Sequence, residues 1–171
     1  MDQAEGHPMW QRAVSYAAAR HLGQFRKDGL TPYFAHPVRV ALTVRHVFDV
    51  DDTTALVAAL LHDLIEDTTT DYDDLIEEFG KEVADAVAAL TKDARLPELL
   101  RESEYDKQLS QASWQARLIK LADVYDNFCD SAPEKRSKVA AKARRAIDCA
   151  GDEPKVQRAV AIVRKLIEQK P

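Results

Sequence analysis

Apolar residues recur along the chain at steps of three and four, so the chain reads as a succession of helices. A first helix runs from about Met9 to Leu22, with Gly23 as its stop. Residues 24–35 form a polar loop around Arg26, Lys27, Asp28 and Gly29. Pro37 fits the first position of a second helix, where its missing N–H is no loss. That helix carries Val38, Val40, Ala41, Leu42 and Val44, then dissolves at Asp49 to Asp52. Thr53 or Thr54 caps a third helix, the most apolar, which runs from Ala55 through Leu61 into His62-Asp-Leu-Ile-Glu-Asp67. Asp71 begins a short helix ending near Gly80, and another follows from Lys81 to about Leu90. The charged segment from Lys92 to Ser110 shows no clear period. Helices then cover about Ala112–Asp130, Glu134–Ala150 and Glu153–Glu168; in the last, Val156, Val160, Val163 and Ile167 form a core-facing stripe. No segment alternates as a strand would, so the fold class is all-α.

Composition agrees. Alanine is abundant at 26 residues and glycine scarce at 5, a helical rather than turn-rich balance. The 171 residues read as one domain over 1–171, with 46% hydrophobic and 31% charged side chains. The longest purely apolar run, Ala55–Leu61, is 7 residues, too short for a membrane span. No basic segment leads into an apolar one at the N-terminus, and Cys129 and Cys149 form no CxxC pair, so a cytoplasmic location with reduced thiols is expected. A net charge of −5 argues against nucleic acid as a partner but leaves room for a small anionic ligand where basic residues cluster. Self-association into a homo-oligomer stays open.

The chemistry concentrates at the end of the third helix. His62, Asp63, Glu66 and Asp67 follow an apolar run, and their three- and four-residue offsets place them over one helical turn. Several carboxylates beside an imidazole repel one another unless a cation joins them. His36, before Pro37, and Asp123, in an otherwise apolar helical turn, add a second nitrogen and another carboxylate. Two nitrogens and two carboxylates suit Mn²⁺, Fe²⁺, Co²⁺ or Zn²⁺, one divalent ion per chain. The bland alternative for each residue is a solvated helix end or a loop charge. His7, His21 and His46 read as surface residues, and Lys135, Arg136, Lys138, Lys142, Arg144 and Arg145 as a solvated helix face.

Tyr33-Phe-Ala-His36-Pro37, His62-Asp63-Leu-Ile-Glu66-Asp67 and Lys120-Leu-Ala-Asp123-Val-Tyr-Asp-Asn127 resemble the ordered motifs of HD-domain metal-dependent phosphohydrolases. Gln24-Phe-Arg-Lys-Asp28 and Phe79-Gly80 extend the resemblance to the RelA/SpoT hydrolase domain and the Mesh1-type small alarmone hydrolases. It covers roughly Ala13 to Asn127 and implies an HD-domain helical bundle. It further implies His36, His62, Asp63 and Asp123 as ligands of Mn²⁺, Glu66 and Asp67 as the catalytic acidic pair, and Arg26, Lys27 and Asn127 as substrate-binding residues.

The implied reaction is release of pyrophosphate from the ribose 3′ position of ppGpp or pppGpp. The alternatives are another nucleotide, such as (p)ppApp, the 2′-phosphate of NADPH or a nucleoside monophosphate, and a non-catalytic alarmone-binding or antitoxin-like module. Two positions depart from the family pattern. Glu98 stands where a lysine follows the Leu-Pro pair, and Ala140 where a tyrosine follows the arginine at Arg136. Glu98 is therefore expected to weaken attraction for the nucleotide.

Overall fold

A computed structural model describes residues 8–169. Ten α-helices carry the described chain: α1 (Met9–Arg20), α2 (Ala35–Leu42), α3 (Thr53–Leu61), α4 (Leu64–Asp67), α5 (Tyr72–Phe79), α6 (Lys81–Leu90), α7 (Glu98–Ser110), α8 (Trp114–Cys129), α9 (Arg136–Ala150) and α10 (Gln157–Gln169). Among the described residues there is no strand, only an isolated bridge between Phe25 and Pro32, so the all-α expectation holds. None of the described helices is long and apolar enough to cross a membrane.

Helices α3 and α8 form the centre. Helix α3 touches α1, α2, α6 and α8, which is why its apolar residues surround it rather than forming one stripe. Val57, Ala58, Ala59 and Leu61 are fully buried, as are Leu118, Ile119, Leu121 and Ala122 on α8. Each such aliphatic larger than alanine contributes about 1.5–3 kcal/mol of burial free energy. Helices α9 and α10 cover the other side of α8, and α7 packs on α9.

Several boundaries differ from the sequence reading, each for a local reason. Asp52, not a threonine, caps α3, its carboxylate accepting from Ala55 N–H at 2.8 Å. Asp71 caps α5 as expected, in a reciprocal capping box with Asp74. Gly80 ends α5 with φ +85°, a conformation that side-chain-bearing residues avoid, and so lets α6 begin at once. Helix α2 starts at Ala35, which puts His36 inside its first turn rather than before it; Pro37 is still in the turn whose N–H groups lack helical partners. It runs into a π-helical turn at Thr43–Val47. The segment without a clear period does fold, from Glu98 onward, as α7. Most important, the third helix does not continue through the HD box. It ends at Leu61, His62 and Asp63 form a turn in which Asp63 takes φ −98° and ψ −1°, and a short α4 follows.

Candidate metal centre and its cleft

The break after Leu61 turns His62 into the interior, where it is 3% exposed. Its Nδ1 lies 2.9 Å from the carbonyl of Ala59, and a carbonyl only accepts, so Nδ1 carries the proton. That leaves Nε2 facing inward. It lies 3.1 Å from Asp63 Oδ1 but out of hydrogen-bond alignment, so this buried nitrogen has no hydrogen-bond partner.

His36 repeats the arrangement from α2. Its Nδ1 donates to Asp126 Oδ2 at 2.6 Å, and its Nε2 faces Asp123 Oδ1 at 3.2 Å and Asp63 Oδ2 at 3.6 Å. Asp126 in turn accepts from Arg39 Nε at 2.6 Å and Nη2 at 3.0 Å. Both imidazoles are thus held by Nδ1 with Nε2 pointing at the same carboxylates, the way metal-binding histidines are oriented. Ligand atoms of His36, His62 and Asp123 all lie within 4.8 Å of one another, and Asp63 borders both imidazoles. The unsatisfied Nε2 of His62 and the mixed nitrogen–carboxylate donor set fit a divalent transition metal.

The electrostatics point the same way. Burial lowers the pKa of His36, but its hydrogen bonds to Asp123 and Asp126 outweigh that and lift it to about 9. Burial opposes ionisation of Asp123, yet the ammonium of Lys120 and the imidazole of His36 hold its pKa well below the usual range. The cluster therefore attracts positive charge, whether as protons or as a metal ion.

Neighbours fix the carboxylates. Tyr33 Oη donates to Asp63 Oδ2 at 2.7 Å. Lys120 Nζ donates to Asp123 Oδ2 at 2.7 Å, and Asn127 Nδ2 donates to Asp123 Oδ1. Arg26 closes this chain: its Nη2 donates to Asn127 Oδ1 at 3.0 Å and to Asp130 Oδ2 at 2.9 Å. The sequence-derived residues Arg26 and Asn127 thus meet each other and brace Asp123.

A cleft of about 710 Å³ lies over the cluster. Its size suits a nucleotide-scale ligand. Arg26, Lys27, Lys92, Lys120, Lys135 and Lys142 all line it. Glu66 and Asp67 line it too, beside rather than within the cluster. Desolvation, then the negative charges of Asp63 and Asp67, raise the pKa of Glu66, which makes no hydrogen bond among the described residues. Gln24 Nε2 donates to the backbone carbonyl of Asp67 at 2.8 Å, tying α4 to the loop after α1.

Other sequence expectations need correction. His21 is not on the surface: it is 2% exposed, stacked against Tyr33 with ring centroids 4.9 Å apart. His46 is exposed as expected, and His7 lies outside the described residues. The helix α9 is not uniformly a solvated face. Lys135, in the 3₁₀ turn just before it, and Lys142 line the cleft, while Arg145 turns to Glu102 and Asp106 on α7, each at 2.7 Å. Glu98 sits on the exposed first turn of α7 and does not line the cleft, so it exerts no contact repulsion there. Asp126, Arg39, Tyr33 and Lys92 also belong to the site, although sequence patterning does not single them out. The signal that was available is a pair of three-residue steps, His36 to Arg39 and Asp123 to Asp126, which put each partner on the same helix face as its ligand.

Residues 13–148 match the family described as the HD domain. The chain belongs to the HD-domain family. The HD-domain hydrolases depend on a metal, and the His36–His62–Asp123 cluster has the chemistry to hold one. Among similar proteins is guanosine-3′,5′-bis(diphosphate) 3′-pyrophosphohydrolase MESH1 of Homo sapiens, 41% identical over 119 residues, which is 69% of this chain and 66% of that protein. The corresponding MESH1 of Danio rerio is 41% identical over 118 residues, again 66% of its length. The guanosine-3′,5′-bis(diphosphate) 3′-pyrophosphohydrolase of Aquifex aeolicus is 38% identical over 136 residues, 76% of this HD-domain chain but 19% of that longer protein. A solved structure of a metazoan SpoT orthologue that hydrolyses ppGpp superposes with a TM-score of 0.79 at 29% identity, covering 93% of this chain and 96% of that one.

Proposed function

We propose that the protein is a metal-dependent hydrolase of guanosine 3′,5′-bis(diphosphate) that releases pyrophosphate from the ribose 3′ position. The observation that carries this reading is the convergence of His36, His62, Asp63 and Asp123 on the floor of a cleft ringed by cations. The similar proteins named for, or reported to perform, this reaction support the choice of substrate.

We assign those four residues as ligands of one divalent ion per chain, which the mixed imidazole and carboxylate donors suit, and take the ion to be Mn²⁺ from the resemblance to the alarmone hydrolases. When bound, such an ion lowers the pKa of a coordinated water and offsets phosphate charge. In the reaction, the water oxygen bonds to the phosphorus attached to O3′, the O3′–P bond breaks, and O3′ takes a proton. Glu66 is positioned to accept the proton lost by the water, and its raised pKa brings it closer to neutral pH, where a general base works best. Asp67 is the second member of the acidic pair. Lys27 faces the anionic substrate, while Arg26 and Asn127 hold Asp123 and border the same space. A nucleotide substrate and thiols with no disulfide fit a cytoplasmic location.

The test is product chromatography after incubation with ppGpp, (p)ppApp and NADPH in the presence of Mn²⁺. GDP and pyrophosphate from ppGpp are expected. Orthophosphate from NADPH with ppGpp untouched would overturn the choice of substrate and leave the metal centre standing.

A further inference from the structure

We propose that the phosphates on the 5′ side of the substrate are held in a separate anion subsite built by Lys92, Lys120, Lys142 and Tyr105. The inference rests on the nucleotide reading above and extends it to the part of the substrate away from the scissile bond. A side pocket of about 40 Å³ opens beside the cleft, and the same three lysines line both spaces. By volume it has room for roughly three waters, which is the scale of a phosphoryl group and too small for a base.

The side pocket is built from Lys92 in the loop after α6 and from α7, α8 and α9, whereas Arg26 and Lys27 come from the loop after α1. Two of its lysines have partners: Lys92 pairs with Glu102 and Lys120 with Asp123. Lys142 has no hydrogen bond or ion pair among the described residues. Lys142 is an exposed residue of α9, and its partial desolvation, then the charges of Lys92 and Lys120, push its pKa down. The two carboxylates in the pocket wall do not supply the missing partner, because Glu102 and Asp106 are both held by Arg145. With Arg145 the pocket wall carries four cations against the two carboxylates Glu102 and Asp106, a surplus of two positive charges that an entering anion offsets.

Tyr105 is the independent observation. Its side chain lies beneath the cluster, with Lys92 Nζ 5.1 Å and Lys120 Nζ 5.5 Å from the ring centroid. It is 5% exposed, and its hydroxyl has no hydrogen-bond partner. A buried hydroxyl without a partner is costly, and a phosphate oxygen in the side pocket supplies an acceptor. Lysines together with a hydroxyl donor give the charge and the directionality that a phosphate group needs.

The experiment uses metal-loaded protein and the variants Lys142→Ala and Tyr105→Phe, neither of which removes a metal ligand or a large apolar group. Lys142→Ala should raise KM for ppGpp about 10-fold with kcat within about 2-fold, as for a contact made equally in ground and transition states. Tyr105→Phe should raise it about 3–10-fold, the effect of one hydrogen bond. Calorimetry with GDP and with guanosine tests the subsite independently of turnover: affinity for GDP should fall by the same factors, and affinity for guanosine should not change. If wild-type protein leaves ppGpp intact but binds GDP in a Lys142-dependent way, the proposed reaction fails and the subsite stands. Wild-type KM and GDP affinity in both variants would overturn the subsite. So would variants that weaken inhibition by inorganic pyrophosphate while GDP binding is unchanged, since the pocket would then serve a free anion rather than the nucleotide.

Discussion

Asp126 touches no expected ligand atom of the metal centre, yet its replacement by asparagine should cripple metal binding. Its carboxylate is surrounded by donors: His36 Nδ1 at 2.6 Å, and Arg39 Nε and Nη2 at 2.6 and 3.0 Å. A carboxylate accepts at both oxygens. The isosteric amide has only one acceptor, so whichever way it is turned its NH₂ group faces a donor, either the imidazole or the guanidinium. Turned towards Arg39, the amide repels the guanidinium. Turned towards His36, it forces Nδ1 to shed its proton or the ring to rotate, and either change misdirects Nε2. Loss of the negative charge also makes the imidazole a poorer donor to a metal. Outer hydrogen bonds of this kind contribute about 10–100-fold to metal affinity, which is about 1.4–2.8 kcal/mol.

The assay is competition between the protein and a chelator of known Mn²⁺ affinity at fixed pH, with circular dichroism to verify the fold. Arg39→Gln is the comparison, because it leaves the carboxylate to accept from His36 and removes only a half-exposed partner; it should cost less than about 10-fold. A folded Asp126→Asn protein that binds Mn²⁺ within about 2-fold of wild type would refute the reasoning, and with it either the orientation of His36 through Nδ1 or its place among the ligands.

Glu66→Gln should keep the metal but lose about 10²–10⁴-fold in kcat; its acid limb of the pH–rate profile, placed above the ordinary glutamate range by the raised pKa, should vanish, and an unchanged kcat would return Glu66 to the status of a helix-end charge. His62→Ala and Asp123→Ala should each lose Mn²⁺, read by elemental analysis, and nearly all turnover. In chelator-treated protein, His36 has a folded pKa of about 9 against 6.5 as its ordinary value. A raised pKa stabilises the fold fully below pH 6.5, and that contribution is lost as pH rises towards 9. The Tm of chelator-treated protein should therefore fall across this window more than that of a His36→Gln variant, and equal slopes would contradict it. Leu61→Ala, fully buried on α3, should cost about 2–5 kcal/mol in urea unfolding.

What the sequence made legible follows from how each feature is encoded. His62, Asp63 and Asp123 stand out because helical periodicity places ionisable groups where apolar ones are due, and that conflict is visible within a few residues. The break between α3 and α4 has no local signature, since nothing in Leu61-His62-Asp63-Leu64 disfavours helix. The interruption coincides with the His62 side chain bonding back to Ala59 and with Asp63 turned to Tyr33, a tertiary contact across 30 residues. The burial of His21 escapes the local pattern for a similar reason: it depends on Tyr33, which the chain brings back over it after the polar loop. Asp126 and His36 are 90 residues apart, so their hydrogen bond belongs to the packing of α2 against α8 and not to any local pattern.

The same distinction resolves the two departures from the family pattern. Read along the chain, Glu98 for lysine and Ala140 for tyrosine amount to the loss of a positive charge and a hydroxyl on the substrate side. Read in space, neither of these two residues lines the cleft, and the cleft is not short of cations. Lys92 stands six residues before Glu98 and Lys142 two after Ala140, and both enter the cleft, while α7 places Tyr105 beside them with its hydroxyl unpaired. A binding surface requires charge and donors at positions in space, and several chain positions can deliver them to one place. Glu98 is therefore a poor predictor of substrate affinity. Restoring lysine there should leave KM for ppGpp within about 2-fold, since a solvated charge outside the cleft is screened. Removing Lys142 should not be tolerated in the same way. A large fall in KM in Glu98→Lys would show that the nucleotide reaches beyond the cleft to the first turn of α7, and would overturn this account of how the chain compensates.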